Sequence, residues 1–167
     1  MVTVPLICNL FSAGNFVATK ADKALRATLI NDVLPVAKKR VKADLIDIRG
    51  ADEYNGKIFA APGFQELAVR AGHIPGAINV PWGANVNADG TFKTVAELKK
   101  LYADKGVDGK QNIITYCRIG ERSSLTWFVL SEILGYNVKN YDGSWTEYGN
   151  SVGVPIVNNA GTIWGAA

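Results

Sequence analysis

The chain has 167 residues, of which 48% are hydrophobic, and its formal net charge is +3. This length and composition suit one domain with a well-packed core, and so mild a charge argues against a nucleic-acid partner. The two cysteines lie far apart and there is a single histidine, which excludes a recognisable metal-ligand spacing and a disulfide framework. We therefore expect one domain over residues 1–167, in a reducing compartment, with no metal and no cofactor.

The first nineteen residues carry no charged side chain and superficially resemble a secretory signal. They lack a basic amino-terminal region, and Pro5, Asn9 and Asn15 interrupt their apolar core. No other stretch approaches the ~20 apolar residues of a membrane span. We predict a soluble, cytoplasmic protein without a membrane partner.

The first half of the chain alternates predicted helices and strands. Leu25, Leu29 and Val33 recur at helical spacing and predict a helix over residues 21–36, with Pro35 marking its end. The next predicted elements are a buried strand, a turn with a short helix, an irregular stretch and a second strand, at residues 43–48, 49–54, 60–71 and 77–80.

The second half continues the alternation. Thr94 and Glu97 form a capping box that begins a helix, and Gly106 follows as its stop. The helix predicted over residues 123–134, before Gly135, is apolar nearly all round and should be buried. Strands are predicted on either side of it, at residues 112–116 and 137–141. Such alternation predicts an α/β fold with a parallel sheet covered on both faces, in which ligands sit beyond the carboxyl ends of the strands.

Cys117 stands at such a strand end, between the strand at residues 112–116 and the apolar helix. The backbone N–H groups of the turn, the helix N-terminus and the cations of Arg118 and Arg122 together stabilise a thiolate. A lone cysteine is otherwise most often a small buried hydrophobe, but two arginines are costly to place around an inert buried thiol. We predict a nucleophilic Cys117, and for Cys8, which apolar residues flank, only a packing role.

Four segments, in the expected order, resemble the rhodanese (thiosulfate sulfurtransferase) family. They are Asp47-Ile48-Arg49 with Glu53-Tyr54, Gly72 to Trp82, the Cys117 loop, and Tyr141 to Gly149. The resemblance covers about residues 14–155, leaves tails at 1–13 and 156–167, and is to the carboxy-terminal catalytic half of two-domain thiosulfate sulfurtransferases. It implies a rhodanese-like three-layer αβα sandwich with a mostly parallel central sheet. It also implies a missing companion rhodanese domain or a homodimer.

The resemblance implies thiosulfate as the sulfur donor and cyanide or a thiol as the acceptor. Cys117 would attack the outer sulfur of thiosulfate and keep it as a persulfide, while Arg118 and Arg122 hold the charge of the leaving sulfite. The rest of the substrate-binding loop is then Ile119, Gly120, Glu121 and Ser123. We expect Glu121 to face outward, since a carboxylate opposes anion binding. Ser123 and Ser124 either cap the helix or donate hydrogen bonds to sulfur.

Residues outside the loop receive supporting roles. Asp47 and Arg49 are expected to orient the loop, with Asp47 contacting Arg122; the alternative is a purely structural ion pair. His73 lies in a glycine-rich and proline-rich turn and is expected to be structural. Glu53 departs from the family pattern, because some rhodaneses have a substrate-binding arginine there.

Three rival functions stay open. Dual-specificity phosphatases and arsenate reductases of the same fold place five residues between cysteine and arginine, whereas Cys117 and Arg122 enclose four, and this tighter loop suits one sulfur atom. Mercaptopyruvate sulfurtransferases usually have glycine and serine after the cysteine, so Arg118 favours the more anionic donor. A non-catalytic, sulfur-carrying or interaction module is the third alternative, which the intact loop disfavours.

Overall fold

Five parallel strands form the sheet that positions every other element. The computed structural model describes residues 26–27, 30–65 and 67–163. In chain order the elements are β1 (Arg26–Ala27), α1 (Ile30–Ala37), β2 (Asp44–Asp47), α2 (Ala51–Tyr54), β3 (Ile78–Asn79), a 3-10 turn (Trp82–Asn85), α3 (Val95–Ala103), β4 (Ile113–Tyr116), α4 (Glu121–Phe128) with a π-helical continuation (Val129–Ile133), β5 (Val138–Tyr141) and α5 (Ser144–Asn150).

The strand order is β1-β5-β4-β2-β3, and every neighbouring pair is parallel. The chain moves from β2 outward to β3 on one side and from β4 outward to β5 on the other, so the direction of winding switches between β2 and β4. Asp47 pairs with Tyr116 at the last register position of these two strands. The residues that follow them therefore leave the sheet side by side, at the switch point where α/β sheets bind ligands.

Both faces of the sheet are covered by apolar clusters, which makes the fold a three-layer sandwich. Successive strand residues point to opposite faces, so Leu45 packs with α1 and α5, whereas Ile46 packs with α3 and α4. All four residues of β4 are buried. The predicted α/β sandwich with a parallel sheet is confirmed.

The helix predicted over residues 21–36 is wrong at its start. Arg26 pairs with Asn140 as part of β1, and the helix begins at Ile30; sheet pairing along the open edge of β5 outweighs the helical spacing of the apolar residues. Pro35 lies inside α1 rather than at its end, but the helix continues only to Ala37, as expected for a residue that removes one helical hydrogen bond and crowds the preceding turn. The remaining residues of 21–29 and Cys8 lie outside the described residues.

The helix predicted over residues 123–134 begins earlier, at Glu121, and is less buried than expected. Phe128 is 42% exposed, and the fully covered stripe consists of Ser123, Thr126, Val129 and Leu130. Apolar content alone therefore overestimated the burial of this helix. Within the described part of the chain, no helix is both long and apolar enough to cross a membrane.

Helix α5 was not predicted. Its buried residues Trp145, Tyr148 and Gly149 are spaced three and four positions apart, which is the helical signal that could have found it.

Candidate active site

Cys117 lies on the floor of a cavity of about 370 Å³, directly after β4, and none of its surface is open to bulk water. Its thiol is free. Its backbone N–H donates to Ser144 Oγ (3.1 Å), and its carbonyl oxygen accepts from the N–H of Trp145 (3.1 Å). The start of α5 therefore fixes both main-chain groups of the cysteine.

The loop between Cys117 and α4 turns at Gly120, whose φ is 81°. A Cβ atom at this position would lie 2.7 Å from the carbonyl oxygen of Asp142, so both the space and the backbone conformation require glycine. Asn140 Nδ2 donates to the Gly120 carbonyl oxygen (3.0 Å) and holds the turn. The first N–H groups of α4, which have no carbonyl partner within the helix, follow immediately and create a positive potential beside the cysteine.

The serine hydroxyls of the loop bind the protein rather than sulfur. Ser123 Oγ is 2.6 Å from Asn140 Oδ1 and 3.1 Å from the Gly120 carbonyl oxygen, and Ser124 Oγ donates to the Glu121 carbonyl oxygen (2.6 Å). A hydroxyl has one proton, so these contacts use the proton of each side chain. Ser123 and Ser124 therefore stabilise the first turn of α4.

The sequence reasoning missed Ser144. This residue is buried, its φ is 49°, and its hydroxyl accepts from the Cys117 N–H and donates to the Tyr141 carbonyl oxygen (2.7 Å). The available signal was a small residue after Gly143 at the end of β5, where a turn is expected.

Arg118 ties the loop to the cavity wall. Its guanidinium donates to the Gln65 carbonyl oxygen and lies 5.8 Å from the centre of the Phe64 ring. Both contacts are to the segment that forms one side of the cavity. Arg118 therefore lies at the cavity as expected, but its guanidinium is already engaged by protein groups.

Arg122 is also paired, and its partner is not the expected one. Its Nη2 lies 3.4 Å from Glu53 Oε1; the Glu53 side chain is 3% exposed and the Arg122 side chain 32%. The expected contact between Asp47 and Arg122 is wrong, because Asp47 forms its ion pair with Arg49 instead. The sequence reasoning noted Glu53 only as a departure from the family pattern.

Asp47 and Arg49 form a sealed ion pair at the end of β2. Their closest atoms are 2.6 Å apart, both residues are 0% exposed, and Arg49 Nη2 also donates to the Gly72 carbonyl oxygen (2.7 Å). Burial alone would lower the pKa of Arg49, but the Asp47 carboxylate outweighs it and raises that pKa. The guanidinium stays charged and stands 4.7 Å from the centre of the Trp145 ring, next to the helix that holds Cys117.

His73 lies away from the cavity lining. Its Nδ1 is 2.7 Å from the Tyr54 carbonyl oxygen, and its ring stacks on the Tyr54 ring with centroids 3.7 Å apart. Burial lowers the pKa of His73, so the imidazole is neutral at pH 7. The acceptor at Nδ1 assigns the proton to that nitrogen. These contacts agree with a structural role.

The cavity combines apolar walls with four ionisable side chains besides the cysteine. The apolar part is formed by Ala60, Ala61, Phe64, Trp82 and Ile119. The ionisable part is formed by Arg118, Arg122, Glu53 and Glu121, which sum to a formal charge of zero. Glu121 is exposed and also contributes to the cavity lining, so its outward orientation stays a prediction.

A model of the rhodanese-like domain family matches residues 33–151. The chain belongs to the rhodanese-like family. Among solved structures, it is similar to part of an anaerobic ergothioneine biosynthesis enzyme from Chlorobium limicola, solved in complex with its natural substrate trimethyl histidine. The TM-score is 0.68 at 26% identity, over 81% of this chain and 32% of that chain.

This rhodanese-like chain is similar in sequence to several proteins with assigned names. A "Putative thiosulfate sulfurtransferase" of Haloferax volcanii is 61% identical over 67% of this chain and 40% of its own length. A protein of the same name from Mycobacterium tuberculosis is 58% identical over 85% of this chain and 50% of its own length. The sulfur carrier protein TtuD of Thermus thermophilus is 50% identical over 87% of this chain and 52% of its own length. The chain thus spans about half the length of these relatives, or less.

Proposed function

We propose that this protein is a thiosulfate sulfurtransferase that carries the transferred sulfur as a persulfide on Cys117. One observation carries the proposal. A free cysteine lies on the floor of a cavity, at the N-terminus of α4, with two arginines on the cavity wall. Membership of the rhodanese-like family and the names of its relatives support the same reaction class.

In the first step, the Cys117 thiolate attacks the outer sulfur of thiosulfate. The bond between the two sulfur atoms of thiosulfate breaks, and sulfite leaves with its electron pair. Arg118, Arg122 and the N–H groups at the start of α4 stabilise the charge on the leaving group and on the new persulfide. The donor has to compete with the protein groups that hold the two guanidinium groups.

In the second step, the acceptor attacks the outer sulfur of the persulfide. Cyanide yields thiocyanate, and the Cys117 thiolate leaves. When the cysteine starts as a thiolate and the acceptor is an anion, neither step needs a proton transfer. This agrees with a site whose cavity lining contains no histidine.

Thiocyanate formation from thiosulfate and cyanide tests the proposal. We expect turnover by the unaltered protein and none by Cys117→Ser. The same assay with mercaptopyruvate compares kcat/KM for the two donors, and we expect thiosulfate to be preferred. Faster turnover of mercaptopyruvate, or hydrolysis of a phosphate ester with little thiocyanate formed, would assign the site to one of the rival reactions.

A second candidate is a sulfur carrier that delivers its persulfide to a protein acceptor, because TtuD of Thermus thermophilus bears that name. The two candidates differ in turnover. A carrier would accept one sulfur per Cys117 from thiosulfate and form little thiocyanate with cyanide, whereas an enzyme would cycle many times.

A further inference from the structure

Glu53 is an anomaly in a site that accepts anions. Its side chain is 3% exposed, it lines the cavity of Cys117, and it faces Arg122. Burying a carboxylate carries a desolvation cost that one ion pair of 3.4 Å offsets only in part, and neither step of the proposed transfer uses it. A negative charge at this place therefore needs its own explanation.

A capping role accounts for only one oxygen of Glu53. Oε2 accepts the N–H of Gly50 (3.1 Å) at the start of α2, and Oε1 faces Arg122. Glu97 caps α3 in the same way, accepting the Thr94 N–H at 2.9 Å from an exposed position. A cap requires an acceptor but no charge, and a glutamine oxygen would serve equally well. The charge of Glu53 thus acts on Arg122, on the buried Arg49 guanidinium and on the cavity.

The charge balance of the cavity shows what this carboxylate does. The two arginines and two glutamates of the lining sum to zero, and without Glu53 the sum would be +1. Of the two glutamates, Glu53 is the buried one, so its field is the less screened by water. A donor that binds Arg122 has to displace Glu53 or share the guanidinium with it. Repulsion by the carboxylate grows with each negative charge that the donor carries.

We propose that Glu53 is a specificity-determining residue, which shifts the preference of the site from sulfur donors with two negative charges toward donors with one. This inference rests on the proposed function. Organic thiosulfonates are donors of that class, since one oxygen of the thiosulfate sulfonate is replaced by a carbon group. The apolar walls formed by Phe64, Trp82 and Ile119 offer a place for such a group. With either donor the Cys117 thiolate attacks the terminal sulfur, and sulfite or a sulfinate leaves with the electron pair.

The test compares kcat/KM for thiosulfate and for methanethiosulfonate with the same acceptor. We expect Glu53→Gln to raise the ratio of thiosulfate to methanethiosulfonate about tenfold, because one additional unit of donor charge is no longer repelled at short range. Glu97→Gln is the matched control, since it makes the same substitution at the same position of the other cap; it should leave the ratio unchanged. Glu53→Asp, which retains the charge, should keep the ratio near that of the unaltered protein. An unchanged ratio in Glu53→Gln overturns the proposal.

A second measurement does not depend on sulfur transfer. Alkylation of Cys117 by iodoacetate, which is an anion, is compared with alkylation by neutral iodoacetamide, and the modified peptide separates Cys117 from Cys8. Glu53→Gln should raise the rate ratio of iodoacetate to iodoacetamide several-fold, and Glu53→Ala serves as a second uncharged variant should Glu53→Gln not fold. If no sulfur is transferred from either donor but this ratio rises, the proposed function fails and the effect of Glu53 on charge stands. If turnover occurs and neither ratio changes, only the inference about Glu53 fails.

Discussion

Two arginine–carboxylate pairs lie at the switch point of the sheet, and they differ in the distance between their charged atoms and in their exposure to solvent. In the pair of Asp47 and Arg49 the closest atoms are 2.6 Å apart, and both residues are 0% exposed. In the pair of Glu53 and Arg122 they are 3.4 Å apart, and the arginine side chain is 32% exposed. The same two chemical groups thus form a closed structural contact at one place and an open contact in a cavity at the other.

Of the two arginines, Arg122 is the one that a ligand can reach. Arg49 donates to both oxygens of Asp47 and to the Gly72 carbonyl oxygen. A substrate could bind Arg49 only by displacing Asp47, which would leave a buried carboxylate without its partner. Among the described residues, Arg122 has one long side-chain contact, to Glu53, which leaves other donors of its planar group for an incoming anion. We call these contacts the sealed pair and the open pair.

Removing the arginine of the sealed pair should lower the stability of the protein strongly. Arg49→Met should lower the free energy of unfolding by about 3–5 kcal/mol, because it leaves the Asp47 carboxylate buried and unpaired. Arg122→Met should lower it less, by about 1–3 kcal/mol, because the buried Glu53 carboxylate loses its cation but keeps the N–H of Gly50. Urea unfolding of the two variants measures both values, and equal losses would contradict the distinction between the pairs.

The next effect is on activity, at the open pair. Arg122→Met should lower kcat/KM for thiosulfate roughly 10-fold to 100-fold, the equivalent of one charge-assisted hydrogen bond. The kcat/KM of Arg122→Lys should lie between those of Arg122→Met and the unaltered protein, because lysine keeps the charge but lacks the planar guanidinium group. Initial rates of thiocyanate formation provide the measurement. Unaltered kcat/KM in Arg122→Met would mean that the open pair does not bind the donor.

Ser144 accepts the backbone N–H of Cys117 and so holds the cysteine in place. Ser144→Ala should cost about 1–3 kcal/mol of stability, because the buried Cys117 N–H loses its acceptor. Ser144→Gly loses the same hydroxyl but suits the backbone φ of 49°, and should be the more stable of the two by about 0.4–1 kcal/mol. Thermal unfolding measures the stability of both variants. If Ser144→Ala were the more stable one, glycine would not relieve backbone strain at position 144.

A weaker effect is expected on the pH dependence of stability, through His73. His73 follows Gly72, which accepts from Arg49, and burial lowers the pKa of His73 in the folded state. The unfolded chain then binds a proton more readily, so stability is full above about pH 6.5 and falls as the pH drops from there toward the lowered pKa, by at most about 1.4 kcal/mol per pH unit.

Urea midpoints between about pH 5.5 and 7.5 measure this dependence, above the range in which ordinary carboxyl groups titrate. His73→Gln removes the single histidine of the chain and should flatten the profile in this window. A profile equally steep in both proteins would place the titrating group elsewhere.

The sequence was informative wherever a local signal determined the structure. Strands β2 to β5, the capping box of Thr94 and Glu97, and the position of Cys117 at a strand end follow from residue type and spacing. These features needed no knowledge of the rest of the chain.

The features that the sequence did not predict depend on contacts between residues distant in the chain. The partner of Arg122 is Glu53, which comes from another helix, and no spacing along the chain distinguishes it from Asp47. The hydroxyl of Ser144 reaches Cys117 only because β4 and β5 are neighbours in the sheet. Strand β1 likewise exists through pairing with β5, against a local helical pattern.

Whether Cys117 carries the sulfur can be read from the intact mass of the protein after incubation with thiosulfate. We predict a gain of one sulfur atom per chain, its loss when cyanide is added, and no gain in Cys117→Ser. An unchanged mass after thiosulfate, or a gain that persists in Cys117→Ser, would show that Cys117 does not carry the sulfur.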